Sequence, residues 1–281
     1  MLENTLLACL MAALAVYAFF MPRMLSARWT KPPEGLTPVS WHAGHAVGVF
    51  FLFIGLSVVA EATADAFSSV LGYGRNSQVF FGLTIVLIYA LNIVTLLLIS
   101  AIAGKTAPAS KALGFKSAPL PASVKAGLRS FLIFLPVQAA FPMIVDTIWV
   151  ALFHETPEGQ EVLQVFMNAG PVLLVLLSVA AVVVAPFFEE LIFRSFVQKG
   201  LENSLGRPAA ILITAGLFAS VHGSVATGIN ILPLALVLSF AYDRTRNIVP
   251  NVVFHAAFNA ASLAVALFVR YGGLDLGLVV P

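Results

Sequence analysis

The segment from Pro171 to Phe188 is an apolar run that contains no charged side chain. A run of about 18 such residues is long enough to cross the hydrocarbon core of a bilayer as a helix. The rest of the chain has the same character, since 60% of its 281 residues are hydrophobic and only 10% are charged. In lipid each segment must satisfy its own backbone hydrogen bonds, which favours helices. The alternating segments of about ten residues that are typical of a membrane β-barrel do not occur. The sequence therefore predicts an all-α, polytopic membrane helix bundle.

Eight apolar segments are candidate membrane spans. The sixth and seventh are short for a hydrocarbon core of about 30 Å, so we expect them to be tilted or to line a wet cavity. Pro136 and Pro142 are predicted to interrupt the fourth span. The eight predicted spans are Leu2–Pro22, Trp41–Ala60, Val79–Ala103, Val124–Phe153, Pro171–Val197, Pro208–His222, Ile229–Tyr242 and Ile248–Val269.

Lysine and arginine residues are concentrated in alternate loops between these spans. Loops of this kind lie on the cytoplasmic side of a membrane, so eight spans would put both termini on the outer side. The expected membrane is the cytoplasmic membrane of a bacterium, or the endoplasmic reticulum of a eukaryote. The sequence has no basic stripe with interleaved aromatic residues, so nucleic acid is not expected as a partner. The predicted cytoplasmic basic residues are Arg23, Arg28, Lys31, Lys105, Lys111, Lys116, Lys125, Arg129, Lys199, Arg207, Arg244 and Arg246.

Two adjacent acids and an arginine follow the uncharged run, in the segment EELIFR. A charge at bilayer depth costs roughly 2.5–3.5 kcal/mol, so these three groups need partners. On a helix, Glu190 and Arg194 are four residues apart and face each other, whereas Glu189 points about 100° away. We therefore expect Arg194 to neutralise Glu190, and Glu189 to face another segment as a general acid or base. Alternatively, all three groups lie at the cytoplasmic end of the helix and reach water.

Two later segments carry the polar groups that could meet Glu189. His222 ends the predicted sixth span, and His255 and Asn259 lie four residues apart in the eighth, on one helix face. Fixed hydrogen-bond donors in a water-poor place can stabilise an oxyanion. Taken singly, His222 could be a polar helix end, and the other two a packing pair between helices. Because three apolar spans supply these groups, we favour one site, in which water is activated as a nucleophile.

Two other interpretations use the same residues. Glu189, His222 and His255 could form a zinc site with two histidines and one glutamate, although the sequence has no HExxH motif and no cysteine ligand set. The buried acids could instead couple a transporter to protons, or serve packing in a membrane scaffold. A serine hydrolase fits poorly, because no serine has the context of a nucleophile elbow.

Three motifs, APFFEELIFRSF, GLFASVHG and IVPNVVFHAAFN, together resemble the CPBP family of intramembrane glutamic endopeptidases. This family contains the type 2 CAAX prenyl proteases and their bacteriocin-processing relatives. Its pattern, EExxxR, then FxxxH, then HxxxN, is matched here without substitution, and the resemblance covers about residues 171–262. It implies a helix bundle with a buried polar cavity that is open to the cytosolic side. The residues before 171 show no match to the family.

The resemblance also implies a role for each motif residue. Glu189 and His222 would activate water, and His255 and Asn259 would form the oxyanion hole. Glu190 and Arg194 would be supporting residues of the site.

The resemblance further implies that the chain is a membrane-embedded endopeptidase. It would act on a peptide or protein substrate, which in some family members is lipidated, within the lipid bilayer and near its cytosolic side. No cofactor and no metal are expected, with zinc as the alternative. A non-catalytic immunity protein is a further alternative. We divide the chain into an N-terminal transmembrane region of four spans, 1–168, and a C-terminal transmembrane catalytic core, 169–281.

One difficulty concerns depth. At 1.5 Å per residue, Glu189 lies about 27 Å along the fifth span, near its cytoplasmic end. His222 lies about 21 Å along the sixth span, which runs the other way, and so nearer the outer side. A kink at Pro186, a strong tilt or a later start of the sixth span would be needed to bring the two side chains together.

Overall fold

The computed structural model describes residues 39–115, 118–157 and 161–272. The predicted first span, Leu2–Pro22, and the basic residues that follow it lie outside these ranges. Within the described ranges every regular element is a helix. The prediction of an all-α helix bundle is therefore confirmed.

The described helices are joined by short connections, except between α2 and α3. Between α2 and α3 the chain also makes a single helical turn, Ala109–Ala112. The helices are α1 (Ala43–Val70), α2 (Gln78–Ala103), α3 (Leu120–Phe153), α4 (Glu161–Asn168), α5 (Pro171–Leu205), α6 (Arg207–Ser220), α7 (Val225–Thr245) and α8 (Ile248–Gly272).

Six of these helices, α1, α2, α3, α5, α7 and α8, are long and apolar enough to cross a membrane. They support an integral membrane protein with several spans. α6 has only 14 residues and falls short of that length. α7 has 21 residues, so the expectation of a short seventh span was wrong. The predicted count of eight spans is thus not confirmed in the part of the chain that the structure describes.

α3 runs without a break through Pro136 and Pro142, over 34 residues. The predicted interruption at these prolines was therefore wrong. Helices in membranes tolerate proline when neighbouring elements or local adjustment satisfy the freed backbone groups. α3 packs along α8 and α7, and a close contact between α3 and α8 occurs at Gly127.

α5 is the central helix, and its winding changes four times. It begins as an α-helix over Pro171–Val179 and continues as a π turn over Ala180–Val184. It returns to α-helix over Ala185–Glu189 and is again π-wound over Glu190–Gln198. A final α-helical stretch, Lys199–Leu205, completes it. π turns inside helices are rare and are frequent at functional sites.

The second half of α5 is enclosed by other helices. Phe193 and Phe196 have no exposed surface. Trp41, just before α1, stacks on Phe196 with ring centroids 4.9 Å apart, and its indole nitrogen donates to the Phe196 carbonyl at 2.9 Å. A Cβ atom at Gly200 would lie 2.9 Å from Trp41 Cδ1, so this contact requires glycine. The part of the polar motif from Glu190 onwards therefore lies in a buried part of the bundle.

An ion-pair network joins the ends of α5, α6 and α7 that lie near Gly206. Arg246 donates to both carboxylate oxygens of Glu202, at 2.6 and 2.8 Å, and to Asp243 at 2.7 Å. Arg207 pairs with the same Asp243. Arg246 lies between α7 and α8, as expected for a loop residue, whereas Arg207 begins α6, and Lys125 and Arg129 lie within α3.

Candidate active site

The two adjacent acids lie where α5 changes from α to π winding. Glu189 ends the short α-helical stretch and Glu190 begins the second π stretch. Glu190 is fully buried, whereas the side chain of Glu189 is 20% exposed. The two carboxylates therefore face different surroundings, as their adjacent positions on a helix require.

Glu190 and Arg194 form an ion pair without access to solvent. Arg194 Nη1 donates to Glu190 Oε1 at 2.8 Å, and both side chains are 0% exposed. Arg194 Nη2 also donates to the Ala235 carbonyl at 3.2 Å, and the guanidinium lies over the Phe218 ring, 4.2 Å from its centroid. The pairing expected from the four-residue spacing is present.

Two side chains of α8 complete the surroundings of Glu190. Asn251 Nδ2 donates to Glu190 Oε2 at 3.0 Å, and His255 Nδ1 lies 3.1 Å from Glu190 Oε1. Because an ionised carboxylate can only accept, the hydrogen in the second contact belongs to His255 Nδ1. Glu190 thus has donors from Arg194, Asn251 and His255, and it fixes the orientation of the His255 ring.

Glu189 meets the two histidines. Its Oε2 atom lies 3.8 Å from His255 Nε2 and 4.0 Å from His222 Nε2. Both distances exceed a direct hydrogen bond, and they are short enough for one water molecule to contact two of the three atoms. The structure thus brings together groups from α5, α8 and the segment that follows α6.

His222 is oriented by the helix that precedes it. Its Nδ1 atom lies 2.6 Å from the Phe218 carbonyl, one turn earlier. A carbonyl oxygen only accepts, so Nδ1 carries the hydrogen here as well. The Nε2 atoms of both histidines are therefore the ones that face Glu189. In the neutral imidazole such a nitrogen can accept a proton.

Asn259 contacts α5 eight residues before Glu189, at Ala181. Its Nδ2 atom donates to the Ala181 carbonyl at 2.7 Å, in the first π turn. Glu189, Glu190, Arg194, His222 and His255 form one connected cluster. The amide of Asn259 is bound to the backbone beside that cluster.

The difficulty over depth is resolved by the length of α5, which extends to Leu205 and not to Val197. Gly206, with φ of 81°, is the single residue between α5 and α6, in a conformation that favours glycine. From this glycine, Glu189 lies 17 residues back and His222 lies 16 residues forward. The two helices form an antiparallel hairpin, so both side chains lie roughly 24–26 Å from the turn.

Three residues in contact with this cluster or with the neighbouring Phe188 were not predicted from the sequence. Asn251 was missed although its position four residues before His255 puts both on one helix face. Phe218 is part of the FxxxH motif, but no contact was predicted for it. Its ring centroid is 4.5 Å from that of His222 and 5.7 Å from that of His255. Tyr89 of α2 packs on Phe188 at 5.5 Å, and no local pattern could have indicated it.

In the part of the chain that the structure describes, no group of three or more histidine, cysteine, aspartate or glutamate side chains is placed to hold a metal ion. The donor types of Glu189, His222 and His255 would suit zinc. Ligands bound at 2.0–2.1 Å in a tetrahedron lie roughly 3.4 Å apart, and the present distances are 3.8 and 4.0 Å. These atoms would have to move closer to bind a zinc ion.

Comparison with known proteins gives one match. Residues 171–261 match the family model described as Rce1-like, type II CAAX prenyl endopeptidase Rce1-like. This range is less than half of the chain and includes α5, α6, α7 and the first half of α8, which supply the whole cluster. The match confirms the resemblance seen in the sequence motifs. Searches of curated proteins and of solved structures found no match.

Proposed function

We propose that this chain, similar over residues 171–261 to the type II CAAX prenyl endopeptidases, is an intramembrane endopeptidase of the glutamic type. The family match and the six apolar helices support an intramembrane protease. The observation that carries the finer proposal is the convergence of two histidine Nε2 atoms on Oε2 of Glu189, at 3.8 and 4.0 Å.

The proposed nucleophile is a water molecule held by Glu189 and His222. As the water oxygen attacks the peptide carbonyl carbon, one water proton passes to the Glu189 carboxylate. His222 accepts a hydrogen bond from the water through Nε2, because its Nδ1–H is directed to the Phe218 carbonyl. A base within hydrogen-bond reach of the proton it removes typically contributes 10²–10⁴-fold to the rate.

His255 is the proposed donor to the oxyanion that forms. Its Nδ1–H is engaged by Glu190, so donation from Nε2 requires the imidazolium form. The carboxylates of Glu189 and Glu190 on either side of the ring would stabilise that positive charge. Asn259 is the second proposed donor, because an amide nitrogen carries two hydrogens and only one is needed for Ala181.

Collapse of the tetrahedral intermediate completes the proposed reaction. The carbon–nitrogen bond breaks, and the proton taken up by Glu189 passes to the leaving amine. The products are a new carboxyl terminus and a new amino terminus, and Glu189 returns to its ionised form. Glu190 and Arg194 do not touch the substrate in this scheme, and they hold His255 in position.

The substrate class follows from the surroundings of the site. The cluster lies among membrane-spanning helices, so the substrate is a peptide or protein segment that can reach the bilayer. From the basic residues near the α5–α6 turn we infer that this end of the bundle lies on the cytosolic side. A lipid group on the substrate would be compatible with this location.

Zinc is the alternative for the same three residues. In that case Glu189, His222 and His255 would bind the ion, which would supply a polarised water molecule. The Nδ1 contacts of the two histidines resemble those that orient metal-bound histidines. Metal analysis of purified active protein distinguishes the two chemistries. Full activity in a metal-free preparation would exclude the zinc mechanism. Activity that rises and falls with the zinc content would exclude the glutamic mechanism.

The test of the proposal uses purified protein in proteoliposomes with a peptide library prepared from a membrane proteome. Wild-type protein should generate new termini, and Glu189→Gln should reduce them to background. Glu61→Gln is the matched control, because Glu61 is an exposed glutamate on α1. The proposal fails if Glu189→Gln cleaves as fast as wild type while both variants are folded.

A further inference from the structure

The first π turn of α5 leaves the Ala181 carbonyl without a backbone N–H in the register of its own helix. At the end of this turn the Ala185 N–H donates to the Ala180 carbonyl, five residues back. The next bond in the same register would join residue 186 to Ala181. Residue 186 is proline, which has no backbone N–H. In an apolar environment an unsatisfied carbonyl is costly, so Ala181 needs a donor from elsewhere.

That donor comes from α8. Asn259 Nδ2 lies 2.7 Å from the Ala181 carbonyl oxygen, which is a short and direct hydrogen bond. α8 packs against this π turn and against the two stretches of α5 that follow it. The hydrogen bond therefore occurs where the backbone geometry of α5 requires one.

The π turn also determines where Glu189 points. An α-helix turns by about 100° per residue, so a register shift of one residue rotates the following side chains by about that angle. Glu189 follows Pro186 by only three residues. In an α-helical register the ring of Pro186 would clash with the carbonyl four residues earlier, which favours the π turn. A change in this turn would rotate Glu189 away from His222 and His255.

We propose that Pro186 and Asn259 act as a pair, in which the side-chain amide replaces the N–H that proline lacks and thereby fixes the direction of Glu189. Asn259 is then a positioning residue for Glu189, in addition to any donation from its second N–H. The part of this inference that concerns cleavage rests on the proposed function. The hydrogen-bond coupling itself does not, because it can be measured from protein stability alone.

The experiment compares the variants Asn259→Leu, Pro186→Ala and the double variant with wild type. Thermal unfolding in detergent and cleavage in proteoliposomes are both measured. Asn259→Leu should lower the unfolding midpoint and slow cleavage by at least about tenfold, since an unsatisfied buried carbonyl is costly. Adding Pro186→Ala should restore most of the midpoint, because the backbone N–H that alanine introduces at this position can bind the Ala181 carbonyl. Cleavage should recover only in part, because leucine still offers no donor to the oxyanion.

A matched control is the double variant Asn259→Leu with Pro233→Ala. Pro233 is also an internal helix proline, but it lies on α7. This control should show no recovery of the midpoint. The pairing is overturned if Pro186→Ala restores the midpoint no better than Pro233→Ala does.

Two further outcomes separate stability from reaction. If the midpoint recovers in the double variant but cleavage stays at the rate of Asn259→Leu alone, the positioning role is overturned and Asn259 acts only in the reaction. If Asn259→Leu abolishes cleavage without any change in the midpoint, the pairing is also overturned. If wild-type protein cleaves nothing, the proposed function fails, and the unfolding midpoints still decide whether the pair exists.

Discussion

The buried ion pair between Glu190 and Arg194 gives the sharpest stability prediction. Both side chains are fully buried, and Glu190 also accepts hydrogen bonds from Asn251 and His255. Replacing Arg194 by methionine removes the cation and leaves a fully buried carboxylate without it. The variant Arg194→Met should therefore be strongly destabilised.

The magnitude follows from the cost of an uncompensated buried charge. Removal of one partner from a buried pair typically costs about 3–5 kcal/mol, whereas replacement of both by neutral groups is often nearly neutral. The double variant Glu190→Gln with Arg194→Met should thus recover most of the loss. For a chain of this size, a loss of about 3 kcal/mol lowers the unfolding midpoint by about 5 °C.

Thermal unfolding of purified protein in detergent measures this effect. Arg75→Met serves as control, because Arg75 pairs with Asp65 at 2.9 Å on the surface and should show no measurable change. The reasoning is refuted if Arg194→Met unfolds at the wild-type temperature. It is also refuted if the double variant is no more stable than Arg194→Met, because the charge left behind would then not be the cause.

Three further predictions concern the site and its packing. His222→Ala should abolish cleavage without lowering the unfolding midpoint by more than a few degrees, as measured in proteoliposomes and detergent; loss of folded protein would contradict this. Gly127→Ala should destabilise the contact of α3 with α8, because the added Cβ would lie 2.7 Å from Val253 Cβ; an unchanged midpoint would show that these helices move apart freely. Asn251→Leu should slow cleavage by about tenfold while KM stays within about twofold, because Asn251 holds Glu190 rather than substrate; a change in KM alone would contradict that role.

Much of the fold follows from apolar run length, because a helix is the simplest way to satisfy a backbone in lipid. The four-residue spacing of Glu190 and Arg194 likewise predicts their contact, since such a pair shares one helix face. These features depend on residues close together in sequence. They are the part of the structure that the sequence determines locally.

The meeting of Glu189 and His222 could not be derived from span boundaries. It depends on α5 continuing to Leu205 and on a single-residue turn at Gly206, and the sequence pattern gave an end eight residues too early. Counting from the predicted outer end of each span misplaced the two residues, because both are positioned by their distance from the hairpin turn. Counting residues from Gly206 would have placed them at nearly the same level.

The π turns of α5 could not be predicted from hydrophobic periodicity. Apolar residues occupy every face of the segment before Glu189, so a shift of one residue leaves no mark in the pattern. A kink at Pro186 was one of the three ways in which we expected Glu189 and His222 to be brought together. The structure has a change of winding there, because proline removes one N–H and Asn259 supplies a donor from α8.

The most direct test of the central claim is a comparison of new protein termini in the native host. Cells that carry the wild-type chain are compared with cells that carry Glu189→Gln at equal expression. The account predicts a set of cleaved membrane-associated proteins that is present in wild type and absent in the variant. Identical termini in the two strains, under conditions in which deletion of the whole chain alters them, would contradict the role of Glu189.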